Sequence, residues 1–162
     1  MSCSIRFVCS LIVVSDMEVS CHFYEKILGQ KVKYNFGENI TFEGDFAIHQ
    51  KAHYQMLIDQ KEIRNGGNNL ELYFEYDDVD EIALKLQEHQ VAFVHPVRYQ
   101  PWRQKVVRFY DPDMHIIEIG ETMEHLAYRL FNENLTVEDI SGITMLPLEF
   151  IHAAIENYSN KK

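Results

Sequence analysis

The stretch HPVRYQPWRQKVVRFYDPDMHIIEIGE, residues 95–121, decides how the rest of the chain is read. It holds two β-prone runs, KVVRFY (105–110) and HIIEIG (115–120), on either side of Asp111-Pro112-Asp113-Met114. Asp and Pro there favour a tight reversal, so the spacing predicts a hairpin. In the second run Ile116, Glu118 and Gly120 share one face while Ile117 and Ile119 share the other. A carboxylate in mid-strand needs a reason.

Upstream, the chain divides into two similar units. Phe7 to Val14 is apolar and β-branched-rich, the pattern of a strand covered on both faces. Asp16 then offers an N-cap, Val19, Phe23, Ile27 and Leu28 have helical spacing, and Gly29 is the natural stop. KVKYNF, NITFEG and FAIHQ follow as three β runs punctuated by Gly37 and Gly44-Asp45. The order recurs about 62 residues later. There LELYFEY alternates, Asp78 with Glu81 offers a capping box, and Val79, Ile82, Ala83 and Leu86 mark a helix face before VAFVHP, KVVRFY and HIIEIG. Residues 51–68 read as the connection, with a short helix around Tyr54 to Asp59.

With Pro101-Trp102 before it, the strand, DPD turn and strand ending in IIEIGE resemble the vicinal oxygen chelate superfamily, the glyoxalase, bleomycin-resistance and extradiol-dioxygenase group. The family usually has Gly as the fourth turn residue. Met114 stands there instead, at a cost of about 1 kcal/mol or more if the turn needs a left-handed residue.

The resemblance implies an α+β fold of paired βαβββ modules whose strands form a curved, cup-shaped mixed sheet. It covers residues 1–121 as one glyoxalase-like domain, with modules at about 5–50 and 69–121. Residues 122–162 fall outside it as a helical extension, expected to pack on the domain or on a dimer partner. In that extension Leu126, Ala127, Leu130 and Phe131 form one stripe, Thr136 can cap a second helix, and Pro147 can begin a third carrying Phe150, Ile151, Ala154 and Ile155.

The resemblance also implies a metal held by the first and last strands of the modules, which maps onto Cys9, His49, Glu71 and Glu118. A thiolate at Cys9 favours Zn(II), but a buried neutral Cys is more often a small apolar residue. That leaves His49, Glu71 and Glu118, with His53 and His95 as substitute imidazoles. Alternation alone puts Glu71, Tyr73 and Glu75 on one strand face. Two acids brought into one hollow repel unless a cation joins them.

Zn, Ni, Mn or Fe would each serve, and no metal at all is the reading if Cys9 marks loss of the site. Arg108, Tyr73 and Trp102 are the candidates for ligand contact, since a guanidinium beside aromatic rings suits a planar or carboxylate-bearing molecule. Two functions follow. One is a lactoylglutathione-lyase-like, metal-dependent lyase or isomerase acting through an enediolate, with Glu118 or Glu71 moving the proton. The other is a binding protein that sequesters a small molecule.

Composition narrows the partners. A formal charge of -10 over 162 residues opposes general attraction to nucleic acid, and PLEFIHAAIENY is a poor recognition helix because it lacks Lys and Arg. No run approaches the roughly 20 apolar residues of a membrane span. Three cysteines, Cys3, Cys9 and Cys21, are not a disulfide framework. The expectation is a cytoplasmic homodimer with a small-molecule ligand.

Overall fold

The computed structural model describes residues 5–160. The chain forms two compact units, Met1–Leu70 with Tyr110–His115, and Glu71–Phe109 with Ile116–Lys162. Each holds a four-stranded mixed sheet, ordered β1-β4-β3-β2 in the first and β5-β8-β7-β6 in the second. The α+β fold of paired βαβββ modules expected from the repeat is present.

In the first unit β1 (Ser10–Val14) lies parallel to β4 (Phe46–Gln50), and β2 (Val32–Asn35) and β3 (Asn39–Phe42) complete the sheet antiparallel. The first strand is shorter than its composition suggests. Its partner begins at Phe46, opposite Ser10, and Asp45 holds a left-handed turn just before it. Among the described residues Phe7 and Val8 therefore have no strand to pair with, and they lie exposed. Asp16 caps α1 (Met17–His22), accepting from the amides of Glu18 and Val19.

From Phe23 to Ile27 the helix widens into a π-helical turn. That extra residue moves the buried face onto Ser20, Phe23, Tyr24 and Ile27, leaving Val19 half exposed where simple helical spacing had put it inside. Tyr24 is drawn fully inward, packing against Phe42 and Phe46 and donating to Asp111 Oδ2 at 2.8 Å. Burial, then Asp111, push its phenol well up.

The reversal at residues 111–114 explains its own sequence. Met114 has φ 68°, the left-handed conformation that glycine would take without cost, and its amide closes the turn on Asp111 O at 3.1 Å. Asp111 Oδ1 accepts from the amides of Asp113 and His115, and Asp113 takes the Ser15 amide on both oxygens at 3.0 Å. These buried acids satisfy backbone donors that would otherwise cost about 1–3 kcal/mol each.

The connection contains α2 (Lys51–Leu57), which starts directly after β4 and is capped by Gln50, earlier than the sequence suggests. In the second unit β5 (Glu71–Glu75) runs parallel to β8 (Ile116–Gly120), with β7 (Lys105–Tyr110) and β6 (Phe93–Tyr99) beyond. Helix α3 (Val79–Glu88) buries Val79, Ala83 and Leu86 and is capped by Asp78.

The three predicted tail helices form as α4 (Met123–Asn132), α5 (Val137–Thr144) and α6 (Leu148–Ser159). They belong to the second unit. Leu126, Leu130, Ile140 and Ile151 close a core of their own, each contributing roughly 1.5–3 kcal/mol. Thr136 and Asp139 complete a reciprocal capping box. Phe131, expected in the stripe, is instead substantially exposed.

Candidate functional site

In the second unit the parallel register sets Tyr73 beside Glu118 and Glu75 beside Gly120, so Glu71, Tyr73, Glu75 and Glu118 share one face. Leu72, Ile117 and Ile119 are buried on the other. Arg108 reaches this polar face from β7. Its Nε donates to Glu71 Oε2 at 3.0 Å, its Nη2 is ion-paired with Glu118 Oε2, and its Nη1 meets His95 Nε2 at 3.3 Å.

Each of the four strands thus supplies one member: Glu71 from β5, Glu118 from β8, Arg108 from β7 and His95 from β6. Glu118 is nearly buried, its side chain 7% exposed, whereas that of Glu71 is 39% exposed. His95 is fixed in one tautomer. Its Nδ1 lies 2.8 Å from Pro96 O, which can only accept, so the proton is on Nδ1 and the Nε2 lone pair faces the guanidinium.

Beside this centre Gln104, 4% exposed, organises two aromatic rings. Its Nε2 donates to Tyr73 OH at 3.0 Å and to Glu121 O at 2.7 Å, while its Oε1 accepts from Trp102 Nε1 at 2.9 Å. Tyr73 OH donates to Glu75, and its phenol is pushed up, chiefly by burial. Both rings remain substantially exposed, with their polar ends tied down. Gly120 makes room for Tyr73 and Gln104: a Cβ there would lie 2.8 Å from Tyr73 OH and 2.9 Å from Gln104 Nε2.

Of the other sequence candidates, His49 lies in the first unit, 7% exposed, opposite Asn39. Asn39 Nδ2 can only donate, so His49 Nδ1 accepts at 3.1 Å and the proton is on Nε2, directed to His53 Nδ1 at 2.8 Å. Burial first, then His53, lower the His49 pKa, opposed by Glu38. Cys9 precedes β1 and is a partly exposed free thiol; Cys21 is also free, while Cys3 lies outside the described residues. Lys105, on β7 with Arg108, is paired with Asp80 at 2.5 Å.

The superfamily implies a divalent metal, and the side chains do not fit one. The acids Glu71 and Glu118 are held by a guanidinium, and both His49 nitrogens are engaged. Among the described residues no group of three His, Cys, Asp or Glu is arranged to hold an ion.

The sequence missed a second glutamate. Glu121 is fully buried, its Oε1 accepting from His125 Nδ1 and Arg129 Nε at 2.8 Å, its Oε2 from Arg129 Nη2 at 2.9 Å and the Lys105 amide at 3.2 Å. A concavity of about 370 Å³ opens there, lined by residues including Asp77, Lys105, Glu121, His125 and Tyr158, but by none of the Arg108 group. Glu121 lies between the end of β8 and the Thr122 cap of α4, where no local spacing signals that Lys105, His125 and Arg129 converge on it.

A sequence model described as a glyoxalase-like domain matches residues 7–124. Among solved structures, the chain is similar to a protein of unknown function from Agrobacterium tumefaciens str. C58, with 39% identity and a TM-score of 0.68 over 75% of this chain and 98% of that one. A lactoylglutathione lyase from Agrobacterium tumefaciens matches at 18% identity and TM-score 0.56, over 72% and 93% of the two chains. A glyoxalase/bleomycin resistance protein/dioxygenase from Nocardioides matches at 19% and 0.57, over 74% and 85%. At those last two identities the likeness is one of fold.

Proposed function

Because the chain belongs to the glyoxalase-like domain family of the vicinal oxygen chelate superfamily, we propose that it binds a small organic molecule on the polar face of its second sheet without turning it over. The observation that carries this reading is the commitment of Glu118. A general base must direct a carboxylate oxygen at the proton it removes. Here Glu118 and Glu71 are both directed at Arg108. What the face offers a ligand is the pair of exposed, tethered rings of Tyr73 and Trp102, fixed in orientation before binding.

A second reading, a glyoxalase-type lyase or isomerase, draws on Glu118 being a nearly buried mid-strand acid of the kind catalysis uses. Calorimetric screening of planar molecules bearing vicinal oxygens, beside an assay for lactoylglutathione formation, separates the two. Saturable binding, weakened about tenfold or more in Tyr73→Leu, with no product, is expected. Turnover abolished in Glu118→Gln would establish the lyase reading. The homodimer and the cytoplasmic location belong to the same proposal, and sedimentation at micromolar concentration tests the dimer.

A further inference from the structure

We infer that Arg108 is this chain's own counter-cation, a guanidinium serving where the superfamily's acids hold a divalent ion, and that it closes the centre to metals. The inference goes beyond the proposed function and does not depend on which organic molecule the face takes. Three different strands aim one acceptor each at this single side chain: Glu71 Oε2, Glu118 Oε2 and the Nε2 lone pair of His95. Each guanidinium nitrogen meets one of them.

Two carboxylates and one imidazole form a donor set that suits divalent first-row metals. The same three atoms each face a different nitrogen of one planar cation, so the guanidinium stands among the acceptors where an ion would have to sit. With Arg108 in place, an incoming dication also faces a fixed positive charge within a few ångströms, a repulsion that remains severe at the effective dielectric of a protein surface. Removing the guanidinium alone would leave two acids and a pre-oriented imidazole with nothing between them.

The experiment is titration of the full chain with MnCl2, NiCl2 and ZnCl2, together with the metal content of the chain as purified. Arg108→Gln, Glu118→Gln and the double variant Arg108→Gln with Glu118→Gln run in parallel. The wild type is expected to take no ion saturably. Arg108→Gln is expected to take one per chain, at least about a hundredfold more tightly than wild type, and the double variant to lose it.

One ion bound per wild-type chain, and abolished by Glu118→Gln, overturns the inference, as does a folded Arg108→Gln that binds none. If Arg108→Gln does not fold, urea midpoints decide. Partial recovery in the double variant shows that the uncompensated acid was the defect, and no recovery counts against the proposal. Because organic-ligand binding is measured separately, metal in the wild type would sink this inference while leaving the binding reading to its own test.

Discussion

Glu118 and Glu121 stand three residues apart in one sequence run, both almost inaccessible to solvent, and each meets an arginine. Glu121 is gripped on both oxygens by Arg129, His125 and a backbone amide, and Arg129 is further held by Glu133, Arg103 O and the Tyr99 ring. Hydrogen bonding to Glu121, ahead of the opposing cost of burial, drives the Arg129 pKa upward. Glu118 meets a guanidinium that it shares with Glu71 and His95, on a face where aromatic rings remain open. A buried acid whose valences are filled on every side holds the fold. One that shares a single cation beside exposed rings borders a face left open to solvent.

The sharpest way to break that comparison is Glu121→Ala, expected to cost about 3–5 kcal/mol in urea unfolding because it strands Arg129 and His125 against a buried site. A loss under about 1 kcal/mol would put both glutamates in the same class. Gly120→Ala lies between them and pushes a methyl into Tyr73 and Gln104; a cost of about 1–3 kcal/mol, with loss of ligand binding, is expected. Glu118→Gln should change stability by only about 1 kcal/mol, since Arg108 keeps Glu71.

The smallest effect involves neither acid directly. The lowered His49 pKa means that the unfolded chain binds its proton more readily than the folded one. Stability from the neutral His49 is therefore complete above the ordinary imidazole value of about 6.5 and is lost as pH falls below it. Urea midpoints at pH 7.5 and 5.5 should differ less in His49→Gln than in the wild type. An equal difference would remove His49 from the account and leave the carboxylates to explain the acid sensitivity.

Much of the fold was legible because its signals are local. Asp16, Asp78 and Thr136 cap helices as their spacing predicts, and the alternation of Glu71-Leu72-Tyr73-Phe74 fixed the faces of β5. The ion pairs of Glu71 and Glu118 with Arg108 were not legible, because nothing local says that the β7 side chain leans across β8. His95 gained its place through a tautomer set by the next residue's carbonyl, and His49 is held by an asparagine and a helical neighbour that spacing alone does not pair with it. The π-helical turn at Phe23 and the late start of β1 likewise depend on partners distant in sequence.

The parallel register of β5 against β8 makes this half of the molecule intolerant of misthreading. A slip by one position would turn Glu71, Tyr73 and Glu75 inward together and expel Leu72 and Phe74, reversing the polarity of a whole strand in a single error. Length changes in the Asn65–Asn69 segment before it should thus be absorbed readily, whereas one residue inserted within β5 should leave no chain that folds.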